Sequence, residues 1–499
     1  MSSAQLTYLL VFLGFLIAMI AVGIIVSRKV NSGEDFLMGG RGLTTPLLIG
    51  TTLATLVGTG SSMGAVGFGF SNGWGGALYG IGGALGMFLL LLLFADVRKY
   101  NFMTFSEELS FYYGANKFVK GLTSIILYVA CIGWLGAHII GGSLYLSWIT
   151  GVDPLTAKLI VAVGFGLYTL IGGYLAVVYT DVIQGVILFL GFILLTVLSV
   201  IKIGGIGDLN ANVSPEMSSF LGLEQIGFIP ALSLAVVIAV GVLATPSYRH
   251  RIYSSNNERT VRKGFIITGI LFALFSFFPA IVGMAANVLN PGLDSGYAFP
   301  YLATEVFPIW IGAVVLIAGL SATMSSGSSD FIAAVTILLR DVVEVFTGRL
   351  PKKENMVLSS RISLVLTLLL ALFFTLFTNN IITYISNFIS TVMSGLFIAA
   401  LLGKFWGRAN WQGGIASLIG GSLTSFIILS NESMMAFWGN PILPSLLIAL
   451  AANVIISLLF PPQQITREES LRLLEEERTR LDEGTTITPT DHVDEKYVK

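Results

Sequence analysis

The sequence predicts an all-α protein that crosses a lipid bilayer about thirteen times. Three observations lead there. The first is composition: 55% of the 499 residues are hydrophobic, 11% are charged, and the mean hydropathy is +0.85. A water-soluble domain carries about 25% charge. This chain cannot cover itself with charge against water, so lipid must be its solvent over most of its length. The second is a recurrence of long apolar runs, at 5–27, 45–70, 73–97, 118–149, 155–177, 178–202, 228–246, 264–289, 309–339, 359–377, 380–403, 412–430 and 443–460. As helices they have the ~20 residues needed to cross roughly 30 Å of hydrocarbon. The third is the sorting of basic residues when the runs are walked alternately. Arg28, Lys29, Arg98, Lys99, Lys117, Lys120, Arg249, Arg251, Arg259, Arg262, Lys263, Arg349, Lys352, Lys353, Lys404 and Arg408 fall on one side, and only Lys158 and Lys202 fall opposite. Positive charge stays cytosolic, which puts the N-terminus outside, the C-terminus in the cytosol, and the chain in the cell membrane as a multi-pass protein. The loops 203–227, 290–308 and 431–442 are then external.

Taken in order, the first run has no Lys or Arg before it and no small-residue cleavage site after it. It reads as a retained helix rather than a signal peptide. The run 45–70 is a poor membrane helix, because Thr51, Thr52, Thr55, Gly58, Thr59, Gly60, Ser61 and Ser62 crowd its middle. The run 309–339 repeats the pattern with Ser321–Ala322–Thr323–Met324–Ser325–Ser326–Gly327–Ser328–Ser329–Asp330. Glycines weaken a helix and hydroxyls supply hard, neutral oxygens. Interrupted helices with exposed carbonyls are a common way to bind alkali ions at the bilayer midplane. Tight packing of small residues is the bland explanation; for 45–70 alone it stands level with an ion-binding role, while 321–330 is too polar for it.

Asp181 opens the run 178–202, with Gln184 one turn on. A carboxylate there is costly unless paired, hydrated or metal-bound. No basic residue lies in its apolar neighbourhood along the sequence, so a bound cation is the natural partner; a helix-capping Asp is the alternative. Asp330 poses the same question nearer the cytosolic end. Trp134 and His138, four apart, share a helical face. After Pro461–Pro462 a tail of 461–499 leaves the transmembrane region 1–460. Its segment Thr466–Asp482 reads as a charged, solvated helix with Leu471, Leu474 and Leu481 aligned, and disorder follows from Gly484. The tail could still meet a cytosolic partner.

Several classes are excluded. A single Cys131 permits no internal disulfide, and His138, His250 and His492 form no zinc-type cluster with it. No ATPase motif occurs, nucleic acid is not an expected partner, and the polar residues within the spans form no catalytic constellation. The 39 residues after Phe460 are too few for the output domain of a membrane sensor.

The residues quoted above, together with Asp35–Phe36–Leu37–Met38–Gly39–Gly40–Arg41, Tyr168–Thr169–Leu170–Ile171–Gly172–Gly173, Thr180–Asp181–Val182–Ile183–Gln184, Met324–Ser325–Ser326, Gly403–Lys404–Phe405–Trp406 and Gly413–Gly414, resemble the sodium:solute symporter family. The likeness runs over almost the whole membrane portion. It implies a LeuT-type fold with two inverted five-helix repeats, near 45–202 and 228–403, and a leading helix. Carried over by position, the backbone carbonyls of Ala54, Val57 and Ala322 and the hydroxyls of Ser325 and Ser326 would hold a principal Na⁺. Asp181, Ser325, Ser328 and Ser329 match a second Na⁺ site found in part of the family. The solute positions would be Gly58, Thr59, Ser61, Tyr79, Trp134 and Thr245.

Family members carry proline, pantothenate, sialic acid, glucose, iodide or choline. The segments 168–184 and 278–281 look most like the choline branch, but Leu56 and Thr245 stand where its aromatic cage would be. A quaternary ammonium needs that cage. The resemblance therefore implies Na⁺-coupled import of a small organic solute, such as an amino acid or carboxylate, by alternating access. Proton coupling through Asp181 or Asp330 is the rival within the same fold. Two ions driven by 100 mV would add roughly 4.6 kcal/mol, or ~10³-fold accumulation.

Overall fold

The structure is a computed structural model that describes residues 3–28, 33–351, 355–377 and 381–482. Among those residues every element is helical except one isolated bridge between Leu43 and Ser255. In hydrocarbon a helix alone satisfies its own N–H and C=O groups within one segment, so an apolar chain this long has little other choice. Ten helices are long and apolar enough to cross a membrane, and the bent pair Phe228–Ala244 and Pro246–Ser254 makes an eleventh. Thr45–Leu56 and Pro154–Gly164 are shorter apolar helices. The sequence count of about thirteen thus exceeds the long helices observed. The run 45–70 is cut after Leu56, and the expected runs 155–177 and 178–202 form one element, Pro154–Ile203, bent inside at Gly173. There φ is +60°, and a Cβ would press on the Phe36 carbonyl at 2.7 Å, so glycine is required.

The helices differ in what they face. Met356–Phe374 exposes Leu358, Ile362, Leu366, Leu369 and Phe373, a stripe at helical spacing that suits lipid. Ile309–Ile337 is the opposite case: every residue from Ala318 to Ile337 is buried. It packs against Lys117–Thr150 and Pro154–Ile203, so its serines and Asp330 look into protein on all sides.

The end of the bundle that carries most of the basic residues is tied together by polar contacts. Leu43 N–H donates to Ser254 C=O at 3.1 Å, and Asn256 N–H to Leu43 C=O at 3.0 Å. These bonds join the start of Thr45–Leu56 to the end of Pro246–Ser254. Arg249 donates to Glu108 Oε1 at 2.9 Å and lies over the rings of Phe94 and Phe105, while Tyr112 and Tyr253 complete the carboxylate's partners. The tail helix Arg467–Asp482, expected to be solvated, is instead docked here. Lys120 is sandwiched between Glu344 at 2.9 Å and Glu477 at 3.1 Å. Arg478 pairs with Glu107, Ser470 donates to Phe111 C=O at 2.9 Å, and Leu474 is buried. The sequence periodicity aligned those leucines; what it could not show was a surface waiting for them. Residues from 483, including the stretch expected to be disordered after Gly484, lie outside the described residues.

Candidate ion and solute sites

Two helix breaks face each other in the middle of the bundle. The first follows Leu56, where Val57 leaves the helical region at φ −82°, ψ 52° and helical structure resumes at Gly60. The second is Thr245, at φ −72°, ψ 128°, before Pro246, where the two halves bend by 42°. A proline supplies no N–H and disfavours helical geometry at the residue before it. Irregular backbone at this depth is tolerated only when it lines a cavity or is buried in protein.

At the first break the carbonyls of Ala54 and Thr55 turn toward Ile309–Ile337. Ser325 Oγ donates to Ala54 C=O at 2.9 Å, and Ser326 Oγ to Thr55 C=O at 3.0 Å. Ser326 Oγ also lies 3.5 Å from the Ala54 oxygen. Gly58 makes the approach feasible, since a Cβ there would collide with the Ser326 hydroxyl. Four uncharged oxygens from two elements therefore converge, and each hydroxyl can rotate its lone pairs onto a cation. This donor set suits a hard monovalent ion. Val57 and Ala322 are buried beside it.

Asp181 departs from expectation. It lies eight residues past the Gly173 bend, inside a continuous helix, and is wholly buried. The premise that no basic residue is near it fails: Arg251 Nη2, arriving from Pro246–Ser254, lies 3.4 Å from Asp181 Oδ2. The same nitrogen, with two hydrogens to give, also lies within hydrogen-bond reach of Ser329 Oγ at 2.7 Å, of the Thr51 carbonyl and hydroxyl, and of Thr55 Oγ1. Thr51 and Ser329 hydroxyls donate to Asp181 Oδ2 at 2.6 and 3.1 Å. Of the expected second set, only Ser329 meets the carboxylate. Ser325 bonds Ala54, and Ser328 turns back to Ser325 C=O at 3.0 Å. Asp181 Oδ1 and both amide atoms of Gln184 have no hydrogen-bond partner among the described residues.

Between the two breaks lies a narrow cavity, with about 30 Å³ open to a water-sized molecule. Gly58, Ser61, Tyr79, Trp134 and Thr245, expected at the solute site, all line it; Thr59 does not, its hydroxyl bonding His138 Nδ1 at 2.8 Å. Ser326, Asp330, His138, Tyr248 and Phe272 line the same cavity. Sequence reasoning left Tyr248 and Phe272 unmarked. Nothing in an isolated Tyr or Phe of an apolar chain announces a cavity wall. A wider vestibule opens toward Asp294–Tyr297, lined also by Met63, Phe68 and Asn72.

Residues 36–421 match the Sodium:solute symporter family. The chain belongs to the sodium:solute symporter family. It is 27% identical over 463 residues to the sodium/pantothenate symporter of Haemophilus influenzae, covering 90% of this chain and 94% of that protein. It is 26% identical over 468 residues to the high-affinity proline transporter PutP of Bacillus subtilis, covering 90% and 98% respectively. A solved structure of a Na⁺-coupled sialic acid symporter, substrate-bound and outward-open, shares the fold with a TM-score of 0.79 at 19% identity, over 92% of this chain and 99% of that one. Sodium:solute symporters are transporters, not enzymes, and the LeuT-type architecture is the fold of this chain.

Proposed function

We propose that this sodium:solute symporter imports a small organic solute with one Na⁺ per cycle, by alternating access through the cavity between the two helix breaks. The observation that carries the reading is the convergence of Ala54 and Thr55 carbonyls with Ser325 and Ser326 hydroxyls beside that cavity. Ala54, Val57, Ala322, Ser325 and Ser326 hold the ion. Gly58, Ser61, Tyr79, Trp134 and Thr245 contact the solute, with Thr59 acting through His138. The basic end, where Arg249 meets Glu108, faces the cytosol, and the vestibule near Asp294 faces outside. The two breaks open inverted repeats near 45–202 and 228–403, which rock against each other around the site.

A single ion follows from Arg251. A second Na⁺ at Asp181 needs an uncompensated carboxylate, and here the guanidinium already supplies the positive charge. The experiment is uptake into proteoliposomes, with radiolabelled proline and pantothenate as first probes because relatives carry them, under an inward Na⁺ gradient and under an equal pH gradient. Uptake driven by Na⁺ alone is expected; accumulation driven by the pH gradient without Na⁺ overturns the coupling.

A further inference from the structure

Asp330 lines the central cavity with 3% of its surface exposed. Its Oδ2 lies 3.2 Å from His138 Nε2, and His138 Nδ1 lies 2.8 Å from the Thr59 hydroxyl. A carboxylate only accepts, so Nε2 carries the hydrogen that faces it, and Nδ1 is free to accept from Thr59. A neutral imidazole satisfies the whole chain. In that arrangement His138 serves one carboxylate oxygen of Asp330 and leaves the other to the cavity side. The second carboxylate oxygen, Oδ1, is buried with no hydrogen-bond partner among the described residues, and a buried acceptor left unpaired is costly. Arg251 is not available to fill it, being committed to Asp181, Thr51 and Ser329.

The same wall holds a vacant donor. Trp134 Nε1 is buried without a partner among the described residues, and its indole stacks on the His138 ring at 6.5 Å between centroids and 17° between planes. A buried acceptor bearing charge and a buried neutral donor, both on one cavity, call for a ligand with the complementary pair of groups. Tyr79, Tyr248 and Phe272 complete the wall, and aromatic faces favour organic cations.

We propose that Asp330 is the residue that reads the solute, through a protonated amine, while Trp134 Nε1–H meets a carboxylate or carbonyl oxygen of the same molecule. His138 is a positioning residue that fixes the rotamer of Asp330. This rests on the symporter reading, which takes the cavity to be the solute site.

The test is thermal-shift and calorimetric binding to purified full-length protein in NaCl and in KCl. The probes are matched pairs: proline against tetrahydrofuran-2-carboxylate, β-alanine against propionate, and pantothenate as an amine-free anion. In wild type at least one amine is expected to bind 10-fold or more tighter than its partner. Asp330→Asn should abolish that preference while leaving the shift caused by Na⁺ alone unchanged. Pantothenate or another amine-free acid as the best ligand overturns the proposal, and so does a panel in which no amine binds. Loss of the Na⁺-only shift in a folded Asp330→Asn protein also overturns it, since Asp330 would then be an ion ligand. The wild-type comparison needs no variant to fold. An amine preference that persists without any Na⁺ dependence would sink the coupling reading and leave this one standing.

Discussion

At the scale of single residues, the two sites differ in how they balance charge. The oxygens around Ser325 and Ser326 are neutral, so an ion there is held by dipoles, and each ligand counts. Replacing Ser326 by Ala should raise the Na⁺ concentration for half-maximal uptake tenfold or more, if a ligand is worth ~1.4 kcal/mol; an unchanged Na⁺ curve in folded protein would remove Ser326 from the site. The Asp181–Arg251 pair is a different case. Arg251→Leu strands a carboxylate in a fully buried position, which costs ~3–5 kcal/mol. The doubly substituted Asp181→Leu, Arg251→Leu protein should lose less than the two single losses added together. Plain additivity would show that the two side chains are not partners. The hydroxyl runs around Thr51–Ser62 and Ser321–Asp330 were legible because polar atoms in an apolar helix need a reason. Arg251 was not, because it lies 70 residues from Asp181 in the chain and reads as one more basic residue at a cytosolic end. The Thr245–Pro246 break is what swings it inward.

At the scale of elements, the docked tail is the contact that no sequence pattern revealed. Amphipathicity marks which face of Arg467–Asp482 is sticky but never which surface receives it. Burial alone would raise the Glu107 carboxyl, but the charge and hydrogen bond of Arg478, with help from Lys120, hold it below its ordinary value. Glu107 therefore stays ionised at neutral pH and its pair with Arg478 persists. Lys120 touches both Glu344, at the end of the serine-bearing helix's run, and Glu477 of the tail. A double-mutant cycle on Lys120→Met and Glu477→Gln should return ~0.5–3 kcal/mol of coupling, read from melting of the purified protein. Coupling near zero would mean that the tail is not seated as described. Truncation after Pro462 removes every contact of the tail helix together, leaving the Lys120–Glu344 pair, and should lower the melting temperature by several degrees, at about 2–4 °C per kcal/mol for a mid-sized domain.

At the scale of the whole molecule, the fold was visible in broad outline, because apolar runs and the sorting of Lys and Arg are properties of bilayer physics. The count of spans was less visible, since broken and fused helices such as Pro154–Ile203 blur where one ends. Orientation has its own test: Asn257→Cys in a Cys131→Ala background should resist an impermeant thiol reagent in sealed right-side-out cells, and labelling there would invert the topology. Stoichiometry has another. One Na⁺ per solute, after correction for solute charge, is the expected charge ratio; a ratio of two would require the Asp181 region to take an ion despite Arg251. With one charge, 100 mV contributes about 2.3 kcal/mol, or roughly 50-fold accumulation. Ser326 adds a constraint of its own. Its hydroxyl meets the Thr55 carbonyl at the proposed ion site, and the residue also lines the cavity proposed for the solute. One atom group thus feels both ligands, and thermodynamic reciprocity then applies: however many fold Na⁺ tightens the solute, the solute must tighten Na⁺ by the same factor. A molecule wired in this way resists slippage, because an ion that departs alone gives up the grip the solute lent it.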